Sequence, residues 1–294
     1  MMNIYDKVNI PTNLCIENQS LAIGLFDGIH LGHKKLIEEM TSSGSKSNIL
    51  TFSSKLFKSN LGLLLTNEEK MNKFRNLGIN KVFIIDFNDN IKNLSKEDFI
   101  SFLDKNKLSN IYVGEDFTFG KNKEGKASDL KTLKNTKVNI VPLLKIDNKK
   151  ISSTYIKDLL VNGNVELANK YLGYNYYLSS NVISGKARGR KLGFPTINQE
   201  VVSRKVLPHL GVYKSYTLVN GKRYLSMTNI GKVPTFNNEE ISIETHVINE
   251  DIKLRVNYVT IELVSYIRDE KKFNNEKDLV KQLKIDKNNI LSTL

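Results

Sequence analysis

From Leu21 to about Ile156, apolar runs alternate with amphipathic stretches, the pattern of βα units folded around a mostly parallel sheet. The runs LAIGLF (21–26), NILTF (48–52), KVFIIDF (81–87), NIYVG (110–114) and VNIVPLLKI (138–146) each read as a buried strand. Two stretches between them carry helix punctuation. NEEKMNKFRNLGI opens at a Thr66–Glu69 capping box and closes at Gly78, and SKEDFISFLDKNKL opens at Ser95, a good N-cap. Shorter helices are predicted over SSTYIKDLLVNG and VELANKYLG, each ending at a glycine.

After Gly173 the texture turns β-rich, which places a domain boundary between Gly173 and Tyr177 and predicts domains over 1–173 and 174–294. GVYKSYTLVNGKRYLSMTNIG alternates on both sides of Asn220-Gly221, a strong hairpin signal. ISIETHVI and IKLRVNYVTIELVSYI (252–267) continue as strands, and NNEKDLVKQL reads as a terminal amphipathic helix. An antiparallel barrel or sandwich with a C-terminal helix follows. Neither an internal repeat nor a low-complexity linker is present.

Composition refines this picture modestly. The 294 residues suffice for two ordinary domains, and an apolar fraction of 40% gives each enough material for a core. A lone cysteine, Cys15, excludes an intrachain disulfide, and MMNIYDKVNIPTNLCIENQS lacks the apolar segment of a signal peptide, so a cytoplasmic protein is expected. No apolar run approaches the roughly 20 residues that span a bilayer, so no membrane role is expected. The formal charge of +13 points first to nucleic acid. The excess is mostly lysine spread along the whole chain, however, without a basic stripe interleaved with aromatics. A solvated cationic surface is expected instead, with no nucleic-acid partner, and the same charge suits clefts that take nucleotides.

The chemistry begins at GLFDGIHLGH (24–33), where a strand hands over to a helix through a turn at Asp27-Gly28. Such a junction offers free backbone N–H groups and a positive dipole end to phosphates. His30 and His33, three apart, project from one face of the first helical turn and can donate to the phosphates of a bound nucleotide. With Gly24, Phe26, Asp27, Gly28 and Gly32 around them they form a candidate nucleotide site. A second candidate is ISSTYIKDLL, where the hydroxyls of Ser152, Ser153 and Thr154 cap a helix whose first turn carries Lys157, a grip for phosphates. VGEDFTFGKNKEG lies after a strand, and its Phe117 and Phe119 either hold a planar ligand or pack structurally.

In the second half, GKARGRKLGFPTIN concentrates Gly185, Gly189 and Gly193 with Lys186, Arg188, Arg190 and Lys191, then Pro195, Thr196 and Asn198. Flexible backbone with cations suits a phosphate loop, and a Thr hydroxyl with an Asn carbonyl can ligate Mg²⁺. Glu244, in ISIETHVI, shares a strand face with Ser242 and His246 by parity. It either faces a cleft, where a carboxylate can take a proton from a substrate hydroxyl, or is solvated.

Taken in order, these motifs resemble the bacterial bifunctional riboflavin kinase/FAD synthetase family over essentially the whole chain. GLFDGIHLGH is similar to that family's GxFDGxHxGH, LTNEEK to LTxxxEK, VGEDFTFGKNKEG to GxDFxFGxxRxG and ISSTYIK to ISSTxIR. Downstream, GKARGRKLGFPTIN is similar to GxxxGRxLGxPTAN, TNIGKVPTF to NIGxxPTF, ETHVI to ExHxxDF and IRDEKKF to LRxExxF. The resemblance implies a Rossmann-like nucleotidyltransferase domain followed by a six-stranded β-barrel with a C-terminal helix. It also implies two reactions in series, riboflavin to FMN and FMN to FAD, each using ATP with Mg²⁺ and releasing ADP or pyrophosphate, with transient flavin delivery to apo-flavoproteins. By the same resemblance Glu244 is the kinase base and Thr196 and Asn198 hold metal and ATP. His30, His33, Ser153, Thr154 and Lys157 hold the triphosphate of the second reaction, and Asp116, Phe117, Phe119, Asn229, Arg268 and Phe273 contact flavin. The chain departs from the family where TFxPHP is expected: it reads TFSSKLF, with Ser53, Ser54 and Lys55 in place of the His-Pro. Two other readings stay open, a riboflavin kinase with a decayed adenylyltransferase half and a non-catalytic flavin-binding regulator or carrier.

Overall fold

The computed structural model describes residues 5–8, 13–53, 62–86, 88–185, 188–234, 239–249 and 256–293. Two compact units divide the chain, residues 1–153 and 154–294.

In the first unit, β1 (Tyr5–Val8), β2 (Ser20–Ile23), α1 (Leu31–Thr41), β3 (Ser47–Phe52), α2 (Asn67–Asn76), β4 (Lys81–Ile85), α3 (Asp89–Lys92), α4 (Lys96–Lys105) and β5 (Asn110–Gly114) follow in order. They are succeeded by the small hairpin β6 (Thr118–Phe119) and β7 (Gly125–Lys126), by β8 (Lys137–Val141) and by the hairpin β9 (Lys145–Ile146) and β10 (Lys149–Lys150). Six strands form one parallel sheet in the order β1-β4-β3-β2-β5-β8. The predicted punctuation is in place: Thr66 and Glu69 close the capping box of α2, and the Ser95 hydroxyl caps α4. Leu21, Ile23, Leu50, Phe83, Ile111 and Val113 from the sheet meet Phe99, Phe102 and Leu103 of α4 in a core.

Several predicted runs are trimmed. The run after Leu21 ends as a strand at Ile23, because Phe26 adopts φ 51° and turns the chain out of the sheet. The run from Val138 is broken at Pro142, which has no N–H to continue the ladder. β1 is an edge strand that the hydrophobic pattern did not announce.

The second unit begins with α5 (Ser153–Val161), whose first residue closes the other unit, and α6 (Val165–Leu172), which ends at Gly173 in the left-handed conformation. Then come β11 (Tyr177–Ile183), α7 (Arg188–Lys191), β12 (Ile197–Gln199), β13 (Gly211–Val219), β14 (Lys222–Pro234), β15 (Glu239–Val247), β16 (Tyr258–Arg268) and α8 (Glu276–Leu291). The strands close a barrel in the order β11-β12-β15-β14-β13-β16. Asn220 and Gly221 both take positive φ at the β13–β14 turn, as the Asn-Gly signal requires. Arg188–Lys191 is one helical turn rather than open loop; β16 runs from Tyr258 to Arg268, and residues 252–255 of its apolar run lie outside the described residues.

Buried hydroxyls fill part of the barrel: Thr228 bonds both Ser215 (2.7 Å) and Thr245 (2.8 Å), and Thr217 bonds Ser226 (2.7 Å). The outer face of the same strands carries Val212, Met227 and Leu225, which α8 covers with Leu283 and Ile290.

Candidate active sites

The parallel sheet reverses its winding between β2 and β5, the switch point at which open α/β sheets bind ligands beyond their carboxyl ends. Gly24–His33 leaves β2 there, and Glu115–Phe119 leaves β5. In the first segment Phe26, Gly28 and Ile29 have φ of 51°, 87° and 39°. For β-branched Ile29 this is a strained conformation that needs anchoring.

The anchors are specific. Leu25 O accepts from Thr51 Oγ1 (3.1 Å) and from Lys70 Nζ (3.3 Å), and Asp27 Oδ1 accepts from Leu64 N (2.9 Å). Asp27 O accepts from Ser153 Oγ (2.7 Å), so one hydroxyl of the ISST motif is joined to the histidine turn. Ser152 is half-buried beside it, whereas Thr154 and Lys157 lie in the second unit, Thr154 exposed and Lys157 buried. Gly24 and Gly32 are close-packed sites, where an added Cβ would lie 3.2 Å from the Phe26 ring and 3.3 Å from the His30 ring.

His30 is the N-cap of α1: its Nδ1 accepts from His33 N at 3.3 Å. That bond places the proton of the neutral ring on Nε2. His33 stacks on His30 with ring centroids 3.7 Å apart and packs edge-on to Phe26. Burial pushes His30 down to about 4 and, with the nearby His30 and Lys70, holds His33 well below its ordinary value. Both imidazoles are therefore neutral at pH 7, donors and acceptors rather than cations.

After β5, Asp116 is exposed and accepts from Lys150 Nζ at 2.7 Å. Phe119 belongs to the core, packed on Phe99 and against Gly125, so for this residue the packing reading holds; Phe117 is half-buried and stacks on it. Of the TFSSKLF segment, Ser53 is buried, and Ser54 and Lys55 lie outside the described residues.

The second candidate site is written in the barrel's register. Asn198 of β12 pairs with Glu244 of β15, Glu244 with Asn229 of β14, Asn229 with Val212 of β13, and Val212 with Arg268 of β16. Directly paired residues share a face, so residues up to 70 positions apart stand in one row across five strands. Above the row lies a cavity of about 270 Å³, lined by Thr196, Asn229, Glu244, Arg268 and Phe273 among others. Glu244 thus faces a cleft, one of the two alternatives its parity allowed.

Asn198 packs on Gly185, where an added Cβ would come within 2.2 Å of Nδ2. Gly189 allows the Phe194 carbonyl the same closeness, at 2.3 Å. Gly193 has φ 81°, Arg190 is exposed, and Lys186 lies outside the described residues. Pro195 O accepts from His246 Nδ1 at 2.9 Å, which ties the PTIN turn to β15. Burial lowers His246, so the ring is held neutral in that role.

Comparison with known proteins decides the assignment. A family model described as FAD synthetase matches residues 13–155, and one described as riboflavin kinase matches residues 172–294. The bifunctional riboflavin kinase/FMN adenylyltransferase of Bacillus subtilis is 34% identical, over 94% of this chain and 94% of its own length. The chain belongs to this bifunctional riboflavin kinase/FMN adenylyltransferase family. The Listeria monocytogenes member is 32% identical over 92% of this chain and 90% of its own. A crystal structure from Streptococcus pneumoniae, described as a macrolide-efflux protein, matches with TM-score 0.88 and 29% identity, covering 97% of this chain and 98% of that one. Among the described residues here, no helix is long and apolar enough to cross a membrane. As a member of the family the chain is a transferase with ATP as co-substrate of flavin phosphorylation and adenylylation.

Two residues at or behind this cavity were not singled out from the sequence. Glu270 of IRDEKKF lines the cavity and accepts from Lys232 N at 3.2 Å through each oxygen. Asp286 on α8 is 1% exposed and takes Arg268 in a fork, Nε at 3.0 Å and Nη2 at 2.7 Å, while Gln282 Nε2 donates to it at 2.8 Å. Arg268 is therefore held largely by α8. Replacing Asp286 with Ala strands a partly buried guanidinium, which costs about 3–5 kcal/mol. The expected result is a markedly lower denaturant midpoint for the barrel unit together with a raised riboflavin KM. An unchanged midpoint would show that the pair contributes nothing net.

Proposed function

We propose that the riboflavin kinase site is the outer face of the barrel at Glu244 and that the FMN adenylyltransferase site is the Gly24–His33 turn at the sheet's switch point. The observation that supports this best is the register row: it sets Glu244 between Asn198 and Asn229 on the wall of a cavity that also takes in Thr196 and Phe273.

In the first reaction Glu244 accepts the proton of the ribityl 5′-hydroxyl as that oxygen attacks the γ-phosphorus of ATP, and ADP leaves. Asn229, Arg268 and Phe273 border the space for flavin. Gly185, Lys186, Arg190, Gly193 and Pro195 build the nucleotide loop. Thr196 and Asn198 would hold Mg²⁺: their oxygens suit a hard cation that otherwise keeps water and phosphate ligands, and Gly185 is the cradle that leaves room for the Asn198 amide. The ion, when bound, supplies charge neutralisation along the triphosphate.

In the second reaction an FMN phosphate oxygen attacks the α-phosphorus of another ATP, and pyrophosphate leaves. The Nε2–H of neutral His30 and the imidazole of His33 donate to the charge that accumulates on the departing phosphates. Ser152 and Ser153 with the turn's backbone flank that position, and Asp116 with Phe117 lies across the crevice, where FMN would enter. A cytoplasmic setting, with its ATP, suits both steps.

The test is direct. Incubation with riboflavin, ATP and Mg²⁺, followed by chromatography of the flavins, is expected to show FMN rising first and FAD after it, with both abolished by EDTA. FMN without FAD would leave only the kinase assignment, and neither product would remove both.

A further inference from the structure

Lys70, at the fourth position of α2, is a lysine where none would be expected on physical grounds: it is only 4% exposed. Its ammonium donates to the carbonyl of Leu25, the residue from which the strained turn departs. It also lies close enough to Asp27 for the carboxylate to stabilise its charge, and close enough to His33 to disfavour a proton there. Burial lowers Lys70 to about 8 in spite of Asp27, a measure of how little solvent reaches it. Phe26, which precedes Asp27, packs between the His33 ring (5.2 Å) and Phe74 of α2 (5.6 Å), so α2 supports the turn at two points, one charged and one aromatic.

We propose that Lys70 is a positioning residue for adenylyl transfer: from beneath the turn its ammonium holds the Leu25 carbonyl and balances the Asp27 carboxylate, and this keeps the left-handed run through Ile29 and the stacked histidines in one arrangement. The proposal rests on the Gly24–His33 turn being the adenylyltransferase site. Asp27 is almost wholly buried, and a buried carboxylate needs an opposing charge. The Leu25 carbonyl also has two donors, Thr51 and Lys70, of which only Lys70 brings charge; without it the positive φ angles of Phe26 and Ile29 lose a restraint while their strain remains. Lys70 does not touch the reacting atoms in this scheme. It acts through the position of the histidines, so its loss lowers turnover rather than substrate capture.

The experiment uses the full-length enzyme and supplied FMN, with riboflavin phosphorylation by the same molecules as an internal reference and melting curves to set the folded fraction. Lys70→Met keeps the volume and removes the charge. Its kcat for FAD formation is expected to fall about 10²-fold with KM for ATP within about threefold, while phosphorylation is unchanged. Lys70→Arg restores charge and donor and should recover to within about tenfold of wild type. Lys70→Gln, which keeps a donor to Leu25 but no charge, should fall between the two and serves if the Met variant does not fold. The proposal is overturned if Lys70→Met retains kcat within about threefold, if its loss merely tracks the unfolded fraction, or if Lys70→Arg is no better than Lys70→Met. His30→Ala/His33→Ala, run alongside, separates the two levels. If that variant loses FAD synthesis and Lys70→Met does not, only the Lys70 proposal falls. If it keeps FAD synthesis, the site assignment falls and the proposal with it.

Discussion

Replacing Glu244 with glutamine is expected to lower the rate of FMN formation by about 10²–10⁴, the contribution of a well-placed general base, and to leave adenylylation of supplied FMN unchanged. Glutamine keeps the shape and both polar atoms of the side chain and loses only the capacity to take a proton. Its strand is paired on both sides, with Glu244 opposite Asn198 of β12 and Asn229 of β14, so the substitution has little room to move the strand. The carboxylate is half-buried at the cavity wall and no partner in the described structure consumes its acceptor oxygens. Single-turnover FMN formation with saturating ATP reads the step itself. Retained rate would deny Glu244 the role of base, and an equal loss of both activities would contradict the separation of the two reactions into two sites.

Short-range chemistry in this chain was legible because it repeats short-range physics. The Thr66–Glu69 box, the Ser95 cap, the Gly173 left-handed stop and the Asn220-Gly221 turn each depend on neighbours within four residues, and each stands where the pattern put it. Strand parity was nearly as good a guide: it set Glu244 on the face of His246, and that face carries the cavity. Strand ends were less legible. Ile23 and Ile85 end their strands while the apolar run continues, because what stops β2 is a backbone turn held from outside, by Thr51, Lys70 and Leu64. β1 pairs with β4 from more than seventy residues away, and such a pairing leaves no local trace.

Two of the missed residues share a cause. Lys70 and Asp286 are charged residues on helices, which composition assigns to solvent, and only the fold shows them buried beside Asp27 and Arg268. In sequence Asp286 is 18 residues from its arginine, so no helical spacing could have joined them. For Lys70 a signal did exist: LTNEEK puts it one residue past a capping-box glutamate that is itself buried, on the inward side of α2. Read by helical face rather than by residue type, it would have been a core position.

His30→Ala together with His33→Ala is expected to cut FAD formation by about 10³-fold or more while FMN accumulates, since removing a single preorganised donor to developing charge costs about 10²–10³. The structure complicates the simplest variant, and the complication is useful. His30 is also the N-cap of α1, and a lost cap costs about 1 kcal/mol of helix stability. His33 also supports Phe26 through an edge contact at 5.2 Å. A cap defect and a chemical defect would then arrive together. His30→Asn separates them, because asparagine caps a helix as well as any residue and carries no imidazole. In the His30→Asn/His33→Ala protein, α1 should keep its stability and FAD synthesis should remain lost; recovered synthesis would mean that the histidine at 30 served the helix alone. The acid limb of the wild-type profile gives a second check. Because burial holds His30 down to about 4 and His33 below its ordinary value, the neutral pair persists as pH falls through the usual histidine pKa of 6.5. Adenylylation should show no histidine-dependent limb there. A limb near 6.5 that disappears in the double variant would mean that at least one imidazole titrates as if in water, against the desolvation of the pair stacked at 3.7 Å.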